Sequence, residues 1–136
     1  MPAPKKSSTP KWIRPVVTVV LAIVVIVIIK YVWNRSNQIS EYNRIIEDDI
    51  NQGKYEEAIP RLETLMNTAQ SSVATQAKTE LAKCYIQLGD KPELSLKQRA
   101  EQFKKANDLD PTTLNDSQKS EMKLGLAPPA PEEEKQ

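Results

Sequence analysis

An uninterrupted apolar run near the amino terminus constrains this chain more than any other feature. Residues 15–33 are apolar at all but three positions, and thirteen of these nineteen residues are Val, Ile or Leu. A run of this length is close to the roughly 20 residues that cross a hydrocarbon layer of about 30 Å as a helix. In lipid, a helix is the form in which a single segment satisfies its own backbone hydrogen bonds. We therefore predict one transmembrane helix over residues 15–33.

A cleaved signal peptide is the alternative interpretation of this run, and it requires a cleavage site of small residues after the apolar segment. The run continues instead into KYVWNRSN, which contains no such site. An uncleaved single-pass anchor is therefore predicted. The basic residues before the run are Lys5, Lys6, Lys11 and Arg14. Because basic residues favour the cytoplasmic side, we expect a cytoplasmic amino terminus and a periplasmic or other extracytoplasmic main domain, in a cell (inner) membrane or equally in a thylakoid membrane.

The segments around the span are predicted from composition. Residues 1–14 form a basic tail and residues 127–136 an acidic, proline-rich tail, and both are expected to be disordered. Residues 34–40 are a short connector without proline or glycine, so the helix either continues through it or breaks briefly there. Within the span, Thr18 and Ala22 lie four residues apart and are candidates for close packing against another transmembrane helix.

The composition of the chain excludes several classes of function. A length of 136 residues leaves room for one small domain beside the span. After residue 33 the chain has 14 basic and 18 acidic residues, so nucleic acid is not an expected partner. The absence of histidine and the single cysteine, Cys84, exclude an intramolecular disulfide and a metal cluster built from these residues.

Catalytic chemistry is not predicted either. The carboxylate pairs Asp48 with Asp49 and Glu56 with Glu57 occupy adjacent positions that point in different directions on a helix, so we interpret them as solvated surface. Cys84 lies in an apolar stripe and is expected to be a buried, inert thiol. We therefore predict no catalytic residues, no metal site, no cofactor and no small-molecule substrate.

Helical periodicity fills residues 41–126 and predicts an all-α domain. One periodic segment ends at Gly53, and a second begins near Tyr55 with Pro60 expected at its first-turn boundary. A third is predicted to start at a Ser71 or Ser72 cap and to be stopped by Gly89 and Asp90, with one apolar stripe made of Val73, Ala77, Leu81, Cys84, Tyr85 and Leu88. A fourth begins at Leu96, carries the apolar residues Ala100, Phe103 and Ala106, and stops before Pro111. A short fifth helix carries Leu114, Met122 and Leu124 on one side and has Gly125 as its stop; we interpret it as a cap.

The matching positions of two successive units resemble the tetratricopeptide repeat family, whose unit is a pair of helices. The second unit matches at Leu81, Ala82, Tyr85, Gly89, Phe103, Ala106 and Pro111, and the first at Tyr42, Ile45, Gly53, Tyr55, Ala58 and Leu62. Two departures are a short insertion in KPELSLK and the lack of a terminal proline in the first unit. The resemblance implies about two helical hairpins followed by a short capping helix; a generic four-helix bundle with the same stripe spacing is the alternative.

In the family resembled, the first helices of successive repeats line a groove that binds peptides or protein segments. The corresponding positions here are Asn43, Glu47, Ile50, Asn51, Gln76, Thr79, Lys83, Ile86 and Gln87. An ordinary polar helix surface is the alternative interpretation of these residues. The resemblance and the span together predict an interaction module that serves a larger integral membrane protein complex as accessory subunit, scaffold or assembly factor. The alternative is a periplasmic chaperone-like or quality-control factor that binds client proteins near the translocation machinery.

Overall fold

A computed structural model describes residues 13–128 of the chain, and every regular element in this range is helical. In order, the elements are α1 (Ile13–Arg44), a π-helical segment (Ile45–Ile50), α2 (Tyr55–Thr68), α3 (Ser71–Gly89), α4 (Leu96–Leu109) and α5 (Asp116–Leu126). Residues 13–128 contain no strand. The predicted tails lie mostly outside the described residues, in positions 1–12 and 129–136. The all-α prediction is confirmed for the part of the chain that is described.

Helix α1 contains the apolar run. The continuous helical stretch Pro15–Ile50 is long and apolar enough to cross a membrane. Its most apolar window has a mean hydropathy of 2.8, and no part of that window is buried. A signal sequence near an amino terminus has the same properties. Residues 34–40 are helical, so of the two alternatives for this connector the structure has the continuous helix. The chain divides into two compact units, one that ends at Asn37 and one that begins at Gln38.

A widened turn ends the first helical stretch of the second unit. Backbone donors just after the π-helical segment reach back five residues into it, in the bonds from Asn51 N to Ile46 O at 2.9 Å and from Lys54 N to Asp49 O at 2.8 Å. Gly53 then adopts a φ of +74°, which residues with a side chain rarely adopt. This glycine turns the chain into α2, which packs against the π-helical segment.

Helix α2 contains Pro60, although not where the sequence placed it. Pro60 is the sixth residue of the helix and therefore lies beyond the first turn. Its missing N–H leaves the carbonyl of Glu56 without a helical donor. Both Pro60 and Glu56 are exposed, so water can take the place of that donor. The predicted start near Tyr55 is confirmed, but because one turn holds about 3.6 residues, Pro60 lies past the first turn from that start and its expected position is wrong.

The start of α3 also differs from the prediction. The N-cap is Gln70, while Ser71 is the first helical residue, and neither serine caps the helix. A side chain from α1 holds this junction instead: Gln38 Oε1 accepts from the backbone N–H of Gln70 at 3.1 Å, and Gln38 Nε2 lies 3.4 Å from the carbonyl of Thr68. One glutamine amide thus pairs with a backbone carbonyl at the end of α2 and with a backbone N–H at the start of α3.

Helices α3 and α4 are joined by residues 90–95, where the sequence predicts an insertion. Ser95 caps α4, since its side chain accepts from Gln98 N while the Gln98 side chain accepts from Ser95 N. Gly89 does not end α3 through a left-handed conformation, because Gly53 is the only described glycine with positive φ. Its role is close packing: a Cβ on Gly89 would lie 2.6 Å from Cε1 of Phe103.

The core of the second unit extends from Ile45 to Leu114. Neighbouring helices pack in sequence, α2 on α3, α3 on α4 and α4 on α5. The largest fully buried side chains are Phe103, Ile45, Leu62, Leu81 and Cys84. Each of these positions belongs to a predicted apolar stripe. Cys84 is therefore confirmed as a buried thiol.

The contact face of α5 differs in part from the predicted one. Gln118 is buried and Leu124 is 68% exposed, and Leu114 lies before the helix and is buried in the core. Gly125 is inside the helix, where a Cβ would lie 2.5 Å from Cβ of Ala100. The amide of Gln118 is satisfied by the carboxylate of Asp90 at 3.1 Å. The prediction is confirmed for Leu114 and Met122, which lie in or against the core, and is wrong for Leu124 and for Gly125 as the stop of the helix.

Candidate protein-binding surfaces

Five of the nine predicted groove residues lie on one side of α3, and we call them the α3 groove face. They are Gln76, Thr79, Lys83, Ile86 and Gln87. Three of them are exposed, whereas Thr79 and Ile86 are half-buried. Lys83 Nζ lies 2.7 Å from Glu80 Oε1, and this hydrogen bond is the main cause that raises the pKa of Lys83. The face therefore combines polar groups with one partly covered aliphatic side chain.

The other four predicted groove residues come from the end of the first helical stretch. Asn43 is in α1, Glu47 and Ile50 are in the π-helical segment, and Asn51 follows it. Ile50 packs partly against the core, and the other three are exposed. Because a π-helical turn contains more residues than an α-helical turn, these side chains do not keep the α-helical register that a repeat pattern assumes. Sequence periodicity alone gave no sign of this change.

The electrostatic environment of Tyr42, a residue of α1, connects these two groups of residues. Burial raises the pKa of the Tyr42 phenol, the Glu80 carboxylate raises it further, and the Lys83 ammonium lowers it. Tyr42 is therefore close enough to α3 to sense charges at the edge of the α3 groove face.

A second surface lies on the opposite side of α3. It is an open pocket of about 420 Å³, which we call the α2–α4 pocket. Its lining residues are Glu63, Met66 and Asn67 from α2, Leu81 and Tyr85 from α3, and Lys105, Asp108 and Leu109 from α4. None of the nine predicted groove residues lines it. Residues two apart on a helix are about 200° apart, so Leu81 and Tyr85 point away from Lys83 and Gln87.

Tyr85 forms the polar centre of the α2–α4 pocket. Its hydroxyl donates to Glu63 Oε1 at 3.0 Å, and Lys105 Nζ lies 5.3 Å from the centroid of its ring. Burial, followed by the hydrogen bond to the Glu63 carboxylate, raises the pKa of Tyr85 to about 12. The phenol is therefore a neutral donor at physiological pH, and the cation above the ring is held by the ring quadrupole.

A charge cluster joins α1, the π-helical segment and α2. Arg61 Nη1 lies 2.6 Å from Asp49 Oδ2, and Arg61 Nη2 lies 2.6 Å from Glu41 Oε1. Asp49 is only 5% exposed, so the prediction that it belongs to a solvated carboxylate pair is wrong. Asp48 is exposed, as are Glu56 and Glu57. The signal that could have revealed this is Arg61, twelve residues further along the chain, whose positive charge complements Asp49.

The remaining predicted residues lie on the apolar part of α1. Thr18 and Ala22 are both exposed along this helix. Their role in packing against another transmembrane helix remains a prediction.

Comparison with known proteins adds no relative on which to base an assignment. No protein-family model, curated protein or solved structure matches the chain. The functional interpretation therefore depends on the chain's own residues and geometry.

Proposed function

We propose that this chain is a single-pass membrane protein whose helical domain is a protein interaction module. In this proposal the module resembles tetratricopeptide repeats and serves a larger membrane protein complex as accessory subunit, scaffold or assembly factor. The observation that carries the proposal is the combination, within one short chain, of an exposed apolar helix and a small all-α domain. The apolar helix needs lipid or other helices to cover it, and the described part of the small domain offers open surfaces to a partner.

The charge distribution supports an orientation. Basic residues precede the span, which favours a cytoplasmic amino terminus and an extracytoplasmic domain. Along the chain, the predicted span ends at Trp33 and the second compact unit begins at Gln38. A domain anchored this closely in sequence is expected to meet partners that are themselves in or at the membrane.

Anchoring and orientation have a direct test in native membranes. We expect the full chain to resist extraction at alkaline pH and to keep residues 1–33, as read from the intact mass of the purified protein. External protease should digest the helical domain in right-side-out vesicles. A mature chain that begins after Trp33 would show that the apolar run is a signal sequence and would contradict the anchor.

The α3 groove face can be tested separately by charge reversal. Lys83→Glu reverses an exposed charge and breaks its surface ion pair with Glu80, which is worth at most about 1 kcal/mol. The domain should therefore keep its helicity while a partner bound at this face is lost during purification. Lys97→Glu is the matched control, because Lys97 is exposed and lies on α4, outside the predicted groove. Equal partner recovery with both variants would exclude the α3 groove face as the binding site.

A further inference from the structure

We propose that the α2–α4 pocket is a second binding site, which accepts a partner segment carrying one large apolar side chain next to a basic residue. This inference depends on the proposed interaction function but uses a different surface from the predicted groove. The residues that carry it are the apolar floor of the pocket and the acidic groups on its rim.

The apolar part of the pocket sets its capacity. Leu81 and Tyr85 on α3 lie between Met66 of α2 and Leu109 of α4. Met66 and Leu109 are only half-buried although both pack against the core, so each leaves apolar surface towards solvent. A volume of about 420 Å³ lies near the lower end of the range for ligand pockets. The pocket is suited to one or two side chains of a segment and not to an entire docked helix.

The rim determines which charge is favoured. Lys105 is placed over the Tyr85 ring, and Glu63 uses one carboxylate oxygen to accept from the Tyr85 hydroxyl. The side chains of Asp108 and Asn67 are exposed and make no hydrogen bond or ion pair within residues 13–128. The rim therefore has two carboxylates and one ammonium, and its unused groups are mainly acceptors. A basic side chain on the ligand complements this rim, whereas an acidic one is repelled.

The chain's own carboxyl-terminal segment is a poor occupant by the same reasoning. Residues 129–136 contain three consecutive glutamates, Glu132, Glu133 and Glu134. These would add negative charge beside Glu63 and Asp108. A separate, basic partner segment fits the electrostatics better.

The test uses the full chain in detergent micelles and three labelled synthetic hexapeptides on a Gly/Ser background. One has Trp beside Arg, one has Trp beside Glu, and one has Ser beside Arg. Fluorescence anisotropy should show the Trp–Arg peptide binding about tenfold more tightly than either of the others. Met66→Ala should weaken that binding because it removes part of the apolar floor.

Charge reversal on the rim provides the decisive variant. Asp108→Lys should reduce the affinity for the Trp–Arg peptide by about three- to tenfold and increase that for the Trp–Glu peptide. The substitution places a cation in the last turn of α4, where it favours the helix, so the domain should remain folded. Glu93→Lys is the matched control, since Glu93 is exposed, unpaired and outside the pocket, and it should leave both affinities unchanged.

Several outcomes would overturn this inference. Two of them are equal binding of the three peptides and equal effects of Asp108→Lys and Glu93→Lys. A third is tighter peptide binding by a chain truncated after Pro128, which would show that the tail occupies the pocket. Peptide binding that weakens as the protein self-associates would identify a second copy as the occupant. A chain that co-purifies with a membrane complex and fails these tests would retain the proposed function and lose only the α2–α4 pocket.

Discussion

Arg61 Nη1 of α2 lies 2.6 Å from Oδ2 of Asp49, a carboxylate whose side chain is only 7% exposed. The other terminal nitrogen of the guanidinium reaches Glu41 Oε1 near the end of α1 at 2.6 Å. The two carboxylates raise the pKa of Arg61, and the largest cause is the hydrogen bond to Glu41. This one side chain therefore connects three helical segments, and its removal would leave a buried charge without a partner.

Arg61→Met should lower the free energy of unfolding by about 2–4 kcal/mol, because Asp49 would remain buried without its counter-charge. Adding Asp49→Leu should recover much of this loss, since the pair is then replaced by apolar contacts. Urea unfolding followed by circular dichroism measures both effects. Arg44→Met is the control, because Arg44 is 66% exposed and pairs with Glu41 only at 3.6 Å. An Arg61→Met effect as small as that of Arg44→Met would show that the buried pair contributes little.

Gly89→Ala should be destabilising by about 1–3 kcal/mol through overpacking. The added Cβ would lie 2.6 Å from Cε1 of Phe103, a side chain that is fully buried. Phe103→Leu in the same chain should relieve part of the clash, so the double variant should lose less than the two single effects combined. Differential scanning calorimetry of the native chain, the two single variants and the double variant gives the double-mutant cycle. Strictly additive effects would show that the two residues do not constrain one another.

Cys84 should react slowly with alkylating reagents in the native protein. Burial is the main cause that raises the pKa of its thiol from 9.0 to about 11. At pH 8 this shift alone reduces the thiolate fraction by about 100-fold, and the 1% exposure of the residue slows access further. Iodoacetamide labelling followed by mass spectrometry, with a urea-unfolded sample as the reference, measures the ratio. Equal rates in the two samples would contradict the buried position.

The same pKa shift predicts how stability depends on pH. The folded state binds the Cys84 proton more tightly than the unfolded state, so this contribution is complete below pH 9 and is lost as pH rises towards 11. Tyr85, whose pKa is raised from 10.0 to about 12, adds a loss of the same sign at higher pH. Unfolding free energies between pH 8 and 11 should therefore decline less steeply for Cys84→Ala than for the native chain. If the unfolding free energies of the two proteins declined in parallel, Cys84 would not be the cause of the pH dependence.

Apolar periodicity was enough to predict most of the helices and much of the core. Ala100, Phe103 and Ala106 were placed on one stripe of the fourth helix, and all three are fully buried. The buried thiol of Cys84 follows from the same kind of pattern. Such predictions succeed because burial of a helix face depends mainly on spacing along the chain.

The errors lie where polar or small residues take part in packing. Asp49 is buried with Arg61 as its counter-charge, and Gln118 is buried with its amide donating to Asp90 just after α3. The α2–α4 pocket was missed because Leu81 and Tyr85 were both counted as ordinary core residues. In each case the deciding partner comes from a distant part of the chain, so no local pattern contains the information.

The central claim is that this chain works as one part of a membrane complex. Its most direct test is purification of the tagged full chain from native membranes in mild detergent, followed by measurement of the mass and composition of the particle. We predict a stable assembly in which this chain and an integral membrane protein are present in a fixed ratio. Recovery of the chain alone, or with many clients at low and variable ratios, would contradict a role as complex subunit, and the second result would favour a chaperone-like function.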